Sequence, residues 1–563
     1  MKVLEIKNLS LSFKTNHEDI QVLKNISFSL NKAKTVGIVG ESGSGKSLTA
    51  MSILSLLPKS AIIPSGEIEL HDGDFNVDLL TLSEKEMLKV RGNRISMIFQ
   101  EPMTSLNPSM KCGLQVEEII LNHTHCSKSD AKLQVVNLFK EVKLPDPNRI
   151  YQCYPHEISG GQKQRVMIAM AIAINPVIII ADEPSTALDV TVQKAIIDLL
   201  KELQAKHQIS ILFISHDLGV ISQIADDVLV MYKGDIVEKG TKNKVLAFPD
   251  HPYTKGLLNC RPNNNFKQGR LTTISDYLNT NITEDVSERY INRIEDVEPE
   301  IILEVENVSK QYGFKKSIFG RNFKNNMAVK NVSFYVNKGE TLGLVGESGC
   351  GKTTLGRTIV KLIESTSGFI RYKGVAINTL SKKGLKDFRK QMQIVFQDPY
   401  SSLNPKKTIG DLIMEPLKVH NIGKSKNERM QMVLDLFDKV KLERSSYYKY
   451  PHEFSGGQRQ RIVIARALIL NPEFIICDES VSALDVSIQA EILNLLNDLK
   501  REFGLTYIFI SHDLSVVRYM ADRIMVMREG ALVEINKADE IYSSPASEYT
   551  KKLIDSIPEL NLN

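Results

Sequence analysis

The stretch TVGIVGESGSGKS, residues 35–47, decides the fold: a short apolar run breaks into a glycine loop that ends in Lys46 and Ser47. Glycine permits the backbone conformations and close approaches that such a loop needs. Consecutive N–H groups, with the positive end of a following helix behind them, then form a cradle for phosphate oxygens. The pattern places Gly40, Ser42, Gly43 and Gly45 around the phosphates, Lys46 at the β- and γ-phosphates, and Ser47 on magnesium. One match of this kind can arise by chance. The run TLGLVGESGCGKT at 341–353 repeats it and gives Gly346, Ser348, Gly349, Gly351, Lys352, Thr353 and the adjoining Thr354 the same roles.

Working outward, further motifs follow each loop in the same order. SGGQ stands at 159–162 and 455–458, Asp-Glu at 182–183 and 478–479, and Ser-His-Asp at 215–217 and 511–513, each pair 296 residues apart. A constant offset marks two copies of one domain, placed at 1–260 and 301–563. The stretch 261–300, rich in Asn, Asp and Glu and without apolar periodicity, reads as a linker. Each half opens with two alternating strands (3–13 with 22–30; 302–312 with 328–336), then the apolar strand into the loop and a helix. Helical periodicity fills 101–158 and 398–454, as at 131–142 and 428–440. After SGGQ come a helix, the Asp-Glu strand, a helix (192–206; 488–503) and an apolar strand (210–214; 506–510). The expectation is α/β, with a mostly parallel core, a small β region and a helical insert in each half.

Composition narrows the class. Apolar and charged fractions of 42% and 25% are ordinary for a globular chain, and a net charge of +4 over 563 residues points to no nucleic-acid partner. The longest apolar runs fall short of the roughly 18 residues that span a bilayer. The opening MKVLEIKNLSLSF alternates like a half-buried strand and lacks a signal-peptide pattern. Six cysteines, none in a CxxC pair, argue against zinc or cluster ligation and fit a reducing compartment. The basic stretch 313–326 reads as a solvated loop.

The conserved order gives the remaining polar residues their chemistry. Asp182 and Asp478, at strand ends, suit magnesium, and the adjacent Glu183 and Glu479 suit activation of an attacking water. Alone, each is an ordinary acidic turn; two matched positions after phosphate loops outweigh that reading. Gln100 and Gln397 are placed to sense magnesium and the γ-phosphate, and His216 and His512 to contact the γ-phosphate. At a helix start, Ser159, Gly160, Gly161 and Gln162, and likewise Ser455, Gly456, Gly457 and Gln458, offer a hydroxyl and free N–H donors to a phosphate.

Phosphate loop, glutamine, SGGQ, Asp-Glu, Ala-Leu-Asp (187–189; 483–485) and Ser-His-Asp together resemble the ATP-binding-cassette ATPases over nearly the whole chain outside 261–300. The resemblance implies two P-loop domains, each with a RecA-like core, an antiparallel β subdomain and a helical subdomain. It implies that SGGQ of one half closes over nucleotide held by the other, so that Lys46, Asp182 and Glu183 pair with 455–458, and Lys352, Asp478 and Glu479 with 159–162. Phe13 and Tyr312 stand where that family stacks adenine, so ATP with Mg2+ is the expected cofactor. EPMTSLNP (101–108), DPYSSLNP (398–405), YPHEISGGQKQR (154–165), YPHEFSGGQRQR (450–461) and HPYTKGLL (251–258) are similar to the ATPase subunits of dipeptide, oligopeptide and nickel importers, here fused. Departures are few. Ile158 and Phe454 replace the usual signature leucine, and Ser480 stands where the first half has Pro184. Lys32-Ala33-Lys34 replaces the Lys-Gly-Glu of 338–340, so that turn is expected to be built differently. Cys260 stands alone after the tail segment, so no iron–sulfur cluster is carried over.

The expected function is an ATPase that energises peptide import through two separate permease subunits fed by an extracytoplasmic binding protein. It would lie peripherally at the cytoplasmic face as a pseudo-dimer without its own membrane span. Nickel, metal chelates or other small solutes are the alternative cargo. A soluble twin-cassette ATPase acting on ribosomes or nucleic acid is a second class, opposed by the SLNP strings and by the lack of a long basic helix at 261–300. A chromosome-structuring ATPase would need a coiled-coil arm between loop and signature, for which the chain is too short.

Overall fold

A computed structural model describes residues 1–14, 19–100, 105–185, 188–262, 269–278, 300–313, 326–482 and 484–557. Parts of the expected motifs, namely 101–104, Ala187 and Ala483, and most of the basic stretch (314–325), lie outside the described residues.

The alternating opening of each half becomes the antiparallel sheet it predicts. Its strand order in the first half is Ile20–Asn31, Lys2–Phe13, Ala61–Asp72, Phe75–Asp78. In the second it is Asn326–Asn337, Ile301–Tyr312, Ser367–Tyr372, Val375–Ala376. The uniformly apolar runs Thr35–Val39 and Thr341–Val345 are buried on both faces, as strands covered by helices on each side must be. Each sits near the middle of a six-stranded sheet. The first runs Asp235–Thr241, Asp227–Tyr232, Thr35–Val39, Ser210–Ser215, Ile178–Asp182, Ile95–Ile98, all parallel except the Asp235–Thr241 edge. The second repeats it with Ala531–Lys537, Arg523–Arg528, Thr341–Val345, Thr506–Ile510, Phe474–Asp478 and Met392–Val395.

Register is what gathers the motifs. Val39 pairs with Ser215, and Asp182 with Ile214. The loop after Val39, the Asp-Glu pair and His216 therefore leave the sheet along one carboxyl edge, the place where open α/β sheets bind ligands. A helical subdomain, with Cys112–His123, Lys128–Glu141 and Pro147–Gln152 in the first half and Ile409–Val419 and Lys426–Lys439 in the second, carries the helix that opens with SGGQ. One apolar cluster runs through both halves, while a separate cluster underlies each antiparallel sheet.

Two expectations change. The turn at Ala33 is not built differently: Ala33 (φ 56°) and Gly339 (φ 73°) are both left-handed. Both close through equivalent bonds, Lys34 N to Asn31 O and Glu340 N to Asn337 O at 3.2 and 3.1 Å. The strands on either side impose the conformation, and only the side-chain pairing differs, Lys34 with Asp226 and Glu340 with Arg523. Nor is 261–300 wholly a linker. Leu271 is fully buried and Ile274–Leu278 is a short helix. Leu271 and Ile274, three residues apart, supply an apolar face too short to register as periodicity. Among the described residues, no helix is long and apolar enough to cross a membrane.

Candidate active sites

Each phosphate loop is held by its own lysine. Lys46 Nζ donates to the carbonyls of Gly40 and Glu41 at 2.7 and 2.9 Å, and Lys352 Nζ to those of Gly346 and Glu347 at 2.7 and 3.0 Å. A Cβ at Gly40 or Gly346 would stand 2.2 Å from a carbonyl oxygen, of Met231 or Met527, so only glycine lets the loop leave the sheet there. A Cβ at Gly43 or Gly349 would meet nothing within 4 Å, and these two glycines serve the loop through their left-handed backbone, φ 80° and 79°. Burial holds the Lys46 ammonium below its ordinary value.

Beside each loop, strand ends deliver the acidic groups. Ser47 Oγ donates to Asp182 at 3.1 Å and Thr353 Oγ1 to Asp478 at 2.9 Å. Burial pushes Asp182 up to about 6, against the opposing Ser47 bond, and raises Asp478 in the same way. The second carboxylate oxygen of Asp478 is buried with no hydrogen-bond partner among the described residues. A hydroxyl, a carboxylate and an unsatisfied hard oxygen fit a magnesium ion, which also relieves the cost of the buried charge.

Glu183 and Glu479 adopt φ 47° and 48°. A non-glycine residue held left-handed stores strain of the kind found at functional sites, and here it turns the carboxylate off the strand toward its partners. Gln100 Nε2 donates to Glu183 at 3.1 Å and Gln397 Nε2 to Glu479 at 2.8 Å. His216 Nδ1 lies 3.1 Å from Glu183 and His512 Nδ1 3.5 Å from Glu479. Burial opposes charge on both partners. In the first site the Glu183 bond and charge outweigh it and raise His216; in the second the His512 bond and charge outweigh it and lower Glu479. Phosphate loop, Asp, Glu, Gln and His thus converge in both halves. A cavity of about 490 Å3 opens over the second loop, bounded by Lys352, Thr353, Gln397, Glu479 and His512.

The signature serines play a local part that the motif reading did not foresee. Ser159 caps its helix by accepting from Gln162 N at 3.3 Å, and the Gln162 side chain accepts from Ser159 N at 3.0 Å. Ser455 and Gln458 do the same at 3.4 and 3.1 Å. This reciprocal capping box explains the Ser-x-x-Gln spacing, while the N–H groups of Gly160, Gly161, Gly456 and Gly457 occupy the unpaired first turn. The cavity over the second loop takes Gly456 from its own half's signature and Asp189 from the first half; Ser159 does not line it. Phe13 is half-buried and Tyr312 exposed, each at the last residue of its strand, with Lys310 over the Tyr312 ring at 5.3 Å.

What crosses between the halves is the aspartate that follows Ala-Leu. Asp485 accepts from Ser42 N at 2.9 Å, and Asp189 from Ser348 N at 3.4 Å. Tyrosines of the tail segments complete each loop: Tyr253 OH accepts from Glu41 N at 3.0 Å and Tyr549 OH from Glu347 N at 3.2 Å. The sequence singles out the HPYTKGLL segment that holds Tyr253 but gives neither tyrosine a role, although the 296-residue offset relates the two.

Fold and site define a phosphate-loop ATPase built twice on one chain. A family model described as ABC transporter matches residues 23–186 and 329–482, and one described as the oligopeptide/dipeptide transporter C-terminal region matches 237–293 and 533–563. Over 99% of its length the chain is 44% identical to the glutathione import ATP-binding protein GsiA of Escherichia coli O157:H7, covering 89% of that protein. It is 44% identical to GsiA of Salmonella typhimurium over the same shares. A solved dimeric ATP-binding cassette in a post-hydrolysis state with ADP and Pi aligns at 30% identity and TM-score 0.38, over 42% of this chain and 99% of that one. The chain belongs to the ABC transporter family. It is a fused twin-cassette ATPase of the dipeptide, oligopeptide and nickel importer subfamily.

Proposed function

We propose that this chain hydrolyses ATP to energise import of short peptides, glutathione among them, through separate membrane permeases. The end-to-end similarity to glutathione import ATP-binding proteins carries this reading. The chemistry available at both sites agrees with it. Lys46 and Lys352 would exchange their carbonyl partners for β- and γ-phosphate oxygens. Ser47 with Asp182, and Thr353 with Asp478, would hold magnesium, which when bound supplies charge neutralisation on the phosphates. Glu183 and Glu479, each ordered by a glutamine and a histidine, would orient and deprotonate the attacking water. His216 and His512 would contact the γ-phosphate. Phe13 and Tyr312 would stack adenine.

ATP binding would draw Ser159–Gln162 over the loop of Lys352, and Ser455–Gln458 over that of Lys46. The geometry favours this direction of closure. Gly456 already packs against Leu484, whose neighbour Asp485 touches the opposite loop. Closure would move a groove of about 280 Å3 between core and helical subdomain, lined by Leu362, Met392, Phe396 and Pro416. We assign this groove to an apolar helix of a permease subunit, with an extracytoplasmic binding protein delivering cargo and the chain bound peripherally at the cytoplasmic membrane face.

Uptake of labelled glutathione, dipeptides, oligopeptides and nickel by a strain lacking this gene tests the assignment. Peptide uptake should disappear and return with the intact gene but not with E183Q/E479Q, which should bind ATP without steady turnover. Loss of nickel uptake with peptide uptake intact would instead assign the metal cargo.

A further inference from the structure

The tail of the first half ties two distant elements together. Tyr253, fully buried and packed against Tyr232 with ring centroids 4.3 Å apart and ring planes tilted by 31°, holds the first phosphate loop at Glu41 N. Further along the same tail, Leu271 exchanges two hydrogen bonds with Asn494. Leu271 N donates to Oδ1 at 3.0 Å, and Nδ2 donates to Leu271 O at 2.8 Å. Both residues are buried, and Tyr519 OH donates to the same Oδ1 at 3.1 Å. Asn494 belongs to the helix Val486–Phe503 of the second half, whose first turn carries Ser487. The Ser487 hydroxyl donates to the Glu41 carboxylate, and the preceding Asp485 accepts from Ser42 N. Tail, loop and opposite helix thus close into a ring of hydrogen bonds.

The second site has no such ring among its described contacts. Asp189 is 3.4 Å from Ser348 N, against 2.9 Å for Asp485 and Ser42 N. Thr191, the counterpart of Ser487, gives its hydroxyl to its own Asp189 at 2.6 Å. Asp198, the counterpart of Asn494, is a carboxylate and has no N–H to offer. Among the described residues, the C-terminal tail meets the helix Val190–His207 through the bond from Lys194 Nζ to Asp555 O at 3.0 Å.

We infer that the two ATP sites are unequal: the tail ring fixes the Lys46 loop to the opposite helix before nucleotide arrives, whereas the Lys352 loop, reached across the halves by the longer Asp189 contact, is less pre-assembled until closure. Tyr253, Ser487 and Asn494 are positioning residues for the Lys46 site. The physical reason is pre-organisation. A loop and helix already fixed to each other lose less freedom on binding, so more of the contact energy appears as affinity.

The inference rests on ATP binding at both sites, and equilibrium titration of the full-length E183Q/E479Q protein with a fluorescent ATP analogue and Mg2+ separates the two. No binding at all would refute the ATPase reading itself. The expected result is two affinity classes, the tighter removed by K46A and the weaker by K352A. S487A should weaken the tighter class by about fivefold, the effect of one hydrogen bond of about 1 kcal/mol. N494A should act on the same class, and T191A on neither. A single class of equal sites, or an S487A effect on the class that K352A removes, overturns the proposal. S487A deletes only a hydroxyl, so the test stands even if N494A fails to fold.

Discussion

Asp182 shows how a single buried carboxylate reports on this site. Burial lifts it from 3.8 to about 6, so between those values the folded chain keeps a proton that the unfolded chain has released. Stability of the nucleotide-free protein therefore falls as pH rises from about 4 to about 6, and stays lower above that. D182N removes the burden. It should raise stability by up to about 3 kcal/mol near pH 7.5 and by little near pH 4, as thermal melts without magnesium across that range would show. At this scale the sequence was highly legible, because Lys46, Ser47, Asp182 and Glu183 carry chemistry that few other residue types supply. Tyr253 and Ser487 were not legible. A tyrosine in a tail and a serine at a helix start mean nothing until folding brings them to Glu41.

At the scale of elements, two features make quantitative predictions. Ala33 occupies a left-handed turn position where the second half has Gly339. The Cβ in that region costs about 1 kcal/mol, so A33G should stabilise the protein by about that amount, measured as a shift of the denaturant midpoint at constant slope. Ser159 caps its helix, and S159A should cost about 1 kcal/mol in stability and also lower ATP turnover. An unchanged denaturant midpoint would refute the capping part. The strands and helices that periodicity named lie within a few residues of their places, whereas strands such as Ala61–Asp72, Ile95–Ile98, Asp227–Tyr232 and Asp235–Thr241 went unread. The Ala33 turn misled because its conformation comes from the adjoining strands, and Ser-x-x-Gln was read for phosphate binding rather than for its reciprocal cap.

For the whole molecule, the fusion places one cassette permanently beside the other, at a high effective concentration, and a shared apolar cluster joins them. Transmission to the membrane is assigned to the groove beside Leu362, a residue half exposed at its rim. L362E should leave ATP hydrolysis by the isolated protein within about twofold while abolishing peptide uptake in cells; uptake at the parental rate would remove the groove from the coupling path. The sequence by itself determined the duplication, the α/β order of each half and the residue types gathered at each phosphate loop, because spacing along the chain encodes periodicity and motif chemistry directly. Only the tertiary structure decided that residues 269–278 pack rather than link, that Asp485 and Asp189 reach the opposite loops, and that the first tail closes a ring around the Lys46 loop. Those contacts join residues hundreds of positions apart, and the difference between Ser487 and Thr191 acquires meaning only from which acceptor each hydroxyl can reach.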